Sequence, residues 1–229
     1  MEFTLLAAAA FAAGAFWLMV RWESKRGNAA GCALNIWDAG ITAAVGGIMI
    51  GRLVAMITVG INPLTDPGQI LLVRSGVSTV GAALGALCIY SFLARRELFS
   101  AADAIAPAAL AGLAGWHAGC LPTDGCLGTE SSLPWAMTLE GSAVTRHPVE
   151  LYAAILFAIA AYVIAAWKQY GRPPTLGPAG LALIAAGGIR LGTEPLRISL
   201  TGGPTWFYAA GVIVGAGMVA ISFLRARPG

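Results

Sequence analysis

The chain has 229 residues, of which 58% are hydrophobic and 11% charged, with a net charge of +3 and a mean hydropathy of +0.76. A soluble domain needs roughly a quarter of its residues charged to cover its surface, so this composition excludes an ordinary water-soluble enzyme and points to a protein covered by lipid. No basic run or basic–aromatic stripe suggests a nucleic-acid partner, and no polar linker divides the chain, which predicts one domain over residues 1–229.

The expected fold is all-α and polytopic, with seven transmembrane helices. Apolar segments run near 3–20, 38–60, 70–94, 101–121, 149–167, 177–194 and 204–224. Each approaches the roughly 20 residues that cross about 30 Å of hydrocarbon. Helix is the expected state because a segment in lipid must satisfy its own backbone N–H and C=O groups. The 30 glycines and abundant alanine predict close helix–helix approach. Glu2 precedes the first segment and Arg21, Lys25 and Arg26 follow it, the reverse of a signal peptide. It therefore reads as a retained helix with its N-terminus outside.

Counting cations along the chain extends that orientation. Nine of them (Arg21, Lys25, Arg26, Arg95, Arg96, Lys168, Arg172, Arg225 and Arg227) fall in alternate connections and the C-terminal tail, against two, Arg146 and Arg197, on the other side. This positive-inside bias places the C-terminus in the cytoplasm. Within the elements, Asp38 is expected to cap the second helix, and Ser100 with Asp103 to form a capping box opening the fourth. Pro107 is expected to kink that helix, and Pro195 to end the sixth near Glu194.

Charges inside a span cost roughly 2.5–3.5 kcal/mol each, so they need a reason. From the helix rise, Arg52 lies about 21 Å and His117 about 24 Å from the cytoplasmic side, Arg190 and Glu194 about 20 and 26 Å, and Arg74 about 6 Å from the outer side. His147, Glu150 and Tyr152 open the fifth helix, also on the outer side. The shared depth predicts a polar cavity in the outer half of the membrane, sized for a lipid headgroup. The competing reading is that each Arg reaches the outer interface and pairs with the nearest acid. Arg190, Glu194 and Arg197 are spaced to share one helical face, where a carboxylate would orient a guanidinium whose remaining donors suit phosphate.

The longest loop, residues 121–148, carries Asp124, Glu130, Trp135 and Glu140, and long loops are often functional. Cys120 and Cys126 at its start are compatible with a short disulfide or with free thiols. Cys32 and Cys88 are expected to be unpaired. No zinc motif, phosphate loop or serine-hydrolase elbow occurs, and two cysteines do not make a metal site.

The order of these features resembles the prolipoprotein diacylglyceryl transferase family from about Asp38 to Arg197. Gly51-Arg52-Leu53 looks like that family's Gly-Ala-Arg-Leu segment, and Asp66 to Ile70 followed by Ser75 to Ser78 looks like its Asn-Pro and Gly-Gly-Met-Ser stretch. Ala102-Asp103 through Pro107 to Gly119 resembles the run into its signature, and His147-Pro148-Val149-Glu150-Leu151-Tyr152 its His-Pro-Ser-Gln-Leu-Tyr. Arg190, Glu194 and Arg197 keep its Arg-x-x-x-Glu-x-x-Arg spacing. There are departures. Val80 stands where the family has a His, and, in the register set by Gly128, His117 stands at its essential Arg, Cys120 at its Asn and Gly125 at its Glu. Asp124 is one position away from that last site.

The resemblance implies a phospholipid:protein transferase of the bacterial inner (plasma) membrane that needs no cofactor. Such an enzyme moves the diacylglyceryl group of phosphatidylglycerol to the lipobox cysteine of a preprolipoprotein, releasing glycerol phosphate. On that reading His117, Arg190 and Glu194 are catalytic, and Arg52, Arg197, His147, Tyr152, Gly119 and Gly128 bind substrate. The alternative is a catalytically silent relative that binds lipid or serves as a structural subunit of a larger membrane complex.

Overall fold

The computed structural model describes residues 2–28, 32–65, 68, 76–119, 127–138, 141–198 and 203–226, with side chains from residue 7 onward. Arg74, Cys120, Asp124, Gly125, Cys126 and Glu140 lie outside them. Among the described residues there are seven α-helices, in register with the apolar segments of the sequence: α1 Glu2–Ser24, α2 Ile36–Thr58, α3 Thr79–Leu93, α4 Leu98–Ala118, α5 Val149–Gly171, α6 Gly177–Thr193 and α7 Thr205–Ala226. A short antiparallel hairpin, β1 Met137–Thr138 with β2 Thr145–Arg146, pairs Met137 with Arg146 between α4 and α5. Helices α2, α4, α5 and α7 are long and apolar enough to cross a membrane, and α3 is a shorter apolar helix.

The chain forms two compact units, residues 32–101 and residues 1–31 with 102–229. In the first, α2 and α3 meet along a seam of small residues. A Cβ on Gly51 would lie 2.8 Å from the Ala82 backbone N, and one on Gly47 2.8 Å from that of Ala86, so these positions set the interhelical distance. Asn35, rather than Asp38, caps α2, its side chain accepting from the N–H groups of Trp37 and Asp38 at 3.1 and 3.3 Å. Asp38 instead receives the Asn35 amide at 2.7 Å. Ser78 caps α3 through the Gly81 N–H at 3.2 Å.

The second unit is built on α1 and α4–α7. Its core is formed by Leu110, Ala111 and Ala114 of α4 with Ala153, Phe157, Ala161 and Ile164 of α5. Pro107 lies fully buried inside α4. Glycines again mark the closest approaches: a Cβ on Gly115 would fall 2.6 Å from the Phe11 carbonyl carbon of α1, and one on Gly180 2.8 Å from the Gly215 oxygen of α7.

Polar groups gather at the two ends of this unit, with about 27 Å of α5 between Glu150 and Lys168 at a rise of about 1.5 Å per residue. At the Lys168 end its ammonium lies 3.0 Å from Glu23 Oε1, both side chains under a tenth exposed. Asp103 does not cap its own helix. It reaches the start of α6 and accepts from the N–H groups of Leu176 and Ala179 at 2.7 and 2.9 Å. Leu176 precedes α6 in a left-handed conformation without a side-chain cap from its own sequence, so the cap comes from α4. Ser100 bonds back to the Glu97 carbonyl.

Candidate active site

The opposite end of that unit carries a continuous chain of polar contacts. His117, on the last turn of α4, places Nδ1 2.5 Å from Glu150 Oε2. Its ring lies parallel to Phe157, with centroids 5.3 Å apart. Glu150, in the first turn of α5, uses its other oxygen to accept from Arg197 Nη1. Arg197 Nε lies 3.9 Å from Glu194 Oε2, and that same oxygen is 3.3 Å from Arg190 Nη2. Arg190 ends on α7, donating to the Tyr208 hydroxyl at 2.9 Å with its guanidinium over the Tyr208 ring.

The backbone explains how residues so far apart in sequence converge. Pro195 cannot donate a helical hydrogen bond, and α6 gives way to a 3-10 turn, Glu194–Leu196, before Arg197 turns extended. Arg190 and Glu194 thus pair by helical spacing, whereas Arg197 reaches Glu150 only because the chain has left the helix. The turn is then fastened: Thr129 donates to the Leu196 carbonyl at 2.8 Å, His147 to Thr129 at 2.9 Å and Gly128 to His147 at 2.7 Å. A Cβ on Gly128 would lie 3.1 Å from the Leu196 carbonyl carbon, so a larger residue there would push Arg197 away from the start of α5. Gly119 is a similar approach point, where a Cβ would meet the Ala8 backbone N at 2.8 Å.

Arg197 stands out electrostatically. Its Nε and Nη2 are buried and have no hydrogen-bond partner among the described residues. A buried donor without an acceptor costs about 1–3 kcal/mol, more when charged, and an acceptor brought beside these two groups would remove that cost. Phosphate, with several oxygens in fork geometry, suits the guanidinium.

His147 and Tyr152 form an adjoining group. His147 Nδ1 is 3.4 Å from the Tyr152 hydroxyl, which also accepts from Trp135 Nε1 at 2.8 Å. Arg52 lies in the other unit, buried, donating to the Gly76 carbonyl at 2.6 Å. Sequence reasoning did not assign Tyr208, Trp135 or the linking role of Glu150 to the site. Nor did it find Gly203, where a Cβ would lie 2.8 Å from Glu194 Oε2. Among the described residues no group of three His, Cys, Asp or Glu side chains is placed to hold a metal ion.

Known proteins align with this chain over most of its length. Bacterial proteins named phosphatidylglycerol–prolipoprotein diacylglyceryl transferase align with it, from Methylococcus capsulatus at 28% identity over 80% of this chain and 73% of the relative. The Azotobacter vinelandii protein is 32% identical over 81% and 72%, and that of Pseudomonas aeruginosa 29% over 81% and 72%. The family model for prolipoprotein diacylglyceryl transferase matches residues 2–225, and the chain belongs to that family.

Proposed function

We propose that this protein transfers the diacylglyceryl group of phosphatidylglycerol to a cysteine thiol of a prolipoprotein at the outer leaflet of the bacterial inner membrane. Its seven helices would span the bilayer with the N-terminus outside, so that the polar end bearing His117, Glu150 and Arg197 faces the outer leaflet. The observation that carries this reading is the pair of buried Arg197 donors, Nε and Nη2, that make no hydrogen bond among the described residues, beside a histidine and a second guanidinium.

In the proposed reaction Arg197 takes phosphate oxygens through Nε and Nη2. Arg190 is held by Glu194 and Tyr208 so that its charge faces the same group. The thiol gives its proton to His117. The sulfur then attacks the glyceryl carbon bearing the phosphate, the C–O bond breaks, and its electron pair leaves with glycerol phosphate. Two fixed cations stabilise the charge gathering on the departing oxygen, the kind of preorganised effect worth about 3–4 kcal/mol per donor.

One observation favours the silent-subunit reading: Val80, with no titratable group, stands where the resemblance places a histidine. Incubating the purified protein with phosphatidylglycerol vesicles and a one-cysteine lipobox peptide separates the two readings. A diacylglyceryl mass shift lost in Arg190→Ala supports the transferase. An unshifted peptide, beside a working relative, leaves the silent reading.

A further inference from the structure

We infer that Glu150 is the positioning residue of a histidine–carboxylate dyad through which His117 activates the acceptor thiol. This rests on the transferase reading and adds the group that orients the histidine taking the proton. The chain has only two histidines. His147 faces the Tyr152 hydroxyl at 3.4 Å, while His117 faces a carboxylate at 2.5 Å. Among the described residues only the second has an acidic side chain to fix its tautomer.

The geometry determines what the carboxylate does. An ionised carboxylate only accepts, so Nδ1 carries the proton directed at Glu150 Oε2, and the lone pair of neutral imidazole falls on Nε2. Stacking on Phe157 at an interplanar angle of 6° fixes the ring plane, and the hydrogen bond fixes rotation within that plane. Arg197 binds the other oxygen of Glu150. That contact holds the carboxylate against the imidazole, where it offsets the charge His117 gains with the proton. Among the described residues, the charged groups linked to the ring are Glu150 on α5, then Arg197 and Glu194 beyond it, and Arg190 behind them.

In the step itself the S–H bond breaks and its proton goes to Nε2. The sulfur electron pair forms the S–C bond, the C–O pair leaves on glycerol phosphate, and His117 passes the thiol proton to that departing phosphate. No other reactant is consumed. In the resemblance His117 takes the position of an arginine and Glu150 that of a glutamine, and the two altered positions touch each other.

The test compares a cysteine acceptor peptide with its selenocysteine analogue, whose selenol is already ionised at neutral pH and needs no base. Initial rates with phosphatidylglycerol vesicles are taken for the unaltered protein, Glu150→Gln and His117→Gln. Both variants should lose roughly a hundredfold in kcat with the cysteine peptide, the usual range for a general base. With selenocysteine the loss should shrink to less than about tenfold. Because each variant is compared with itself across two acceptors, lost folded protein cancels. An equal loss with both acceptors overturns the dyad and leaves Glu150 as a support for Arg197. Unaltered protein that transfers to neither peptide overturns the transferase reading itself.

Discussion

The buried pair Lys168–Glu23 gives a prediction whose size follows from the structure. Lys168 Nζ sits 3.0 Å from Glu23 Oε1 and 3.1 Å from Oε2, with Asn28 donating to Oε1 at 3.1 Å. Removing one partner strands the other where water is scarce, at a typical cost of about 3–5 kcal/mol. Neutralisation sets a ceiling. At pH 7, deprotonating an ordinary lysine costs about 4.6 kcal/mol and protonating an ordinary glutamate about 3.7 kcal/mol, from about 1.36 kcal/mol per pH unit. Glu23→Leu should therefore cost up to about 4.6 kcal/mol and Lys168→Met up to about 3.7 kcal/mol. The double variant, with no stranded charge, should fall within about 2 kcal/mol of the parent. The sign of the pH dependence follows as well. A stranded Glu23 is penalised only while ionised, so the cost of Lys168→Met should drop to about 1 kcal/mol at pH 5. Unfolding in mixed micelles at both pH values measures all four proteins. Single variants that each cost under about 1 kcal/mol, or a double that matches their sum, would refute the reasoning.

Three further outcomes follow from other contacts. Asp103→Ala removes both acceptors at the start of α6 and should cost about 2–4 kcal/mol in the same unfolding assay, with Asp103→Asn intermediate. Gly115→Val inserts carbon where α1 and α4 touch backbone to backbone and should destabilise by about 1–3 kcal/mol, readable as faster proteolysis within α1. Tyr208→Phe takes one hydroxyl from Arg190 and should lower the transfer rate by up to about tenfold, with unfolding changed by less than about 1.5 kcal/mol.

The positions of the helices were legible because apolar length dictates them: α5 and α7 begin within a residue of the expected segments. The Arg190–Glu194 pair was legible from its helical spacing. Caps were not. Asp103 sits three residues after Ser100, as a local cap would, yet its partners are 73 and 76 residues away. Local spacing carries no information about an acceptor brought in by helix packing. Arg197 was expected on one helical face with Arg190 and Glu194, but it lies extended beyond the 3-10 turn at Pro195 and reaches Glu194 and Glu150 from there. Glu150 was visible as an acidic residue opening the fifth helix. Its role as the bridge between His117 and Arg197 was not, because helix rotation decides which neighbours a side chain meets. Tyr208 gave no signal at all, since an aromatic residue near the start of an apolar helix is ordinary.

The central claim is that phosphate departs from the Arg197–Arg190 end as sulfur attacks the glyceryl carbon. Its most direct test is to quantify, in one reaction, thioether-linked peptide by mass and glycerol phosphate by chromatography. The account predicts equal molar amounts of the two, and a parallel fall of both in Arg197→Lys, which keeps the charge but loses the fork. Thioether without glycerol phosphate, or both products undiminished in Arg197→Lys, would contradict it.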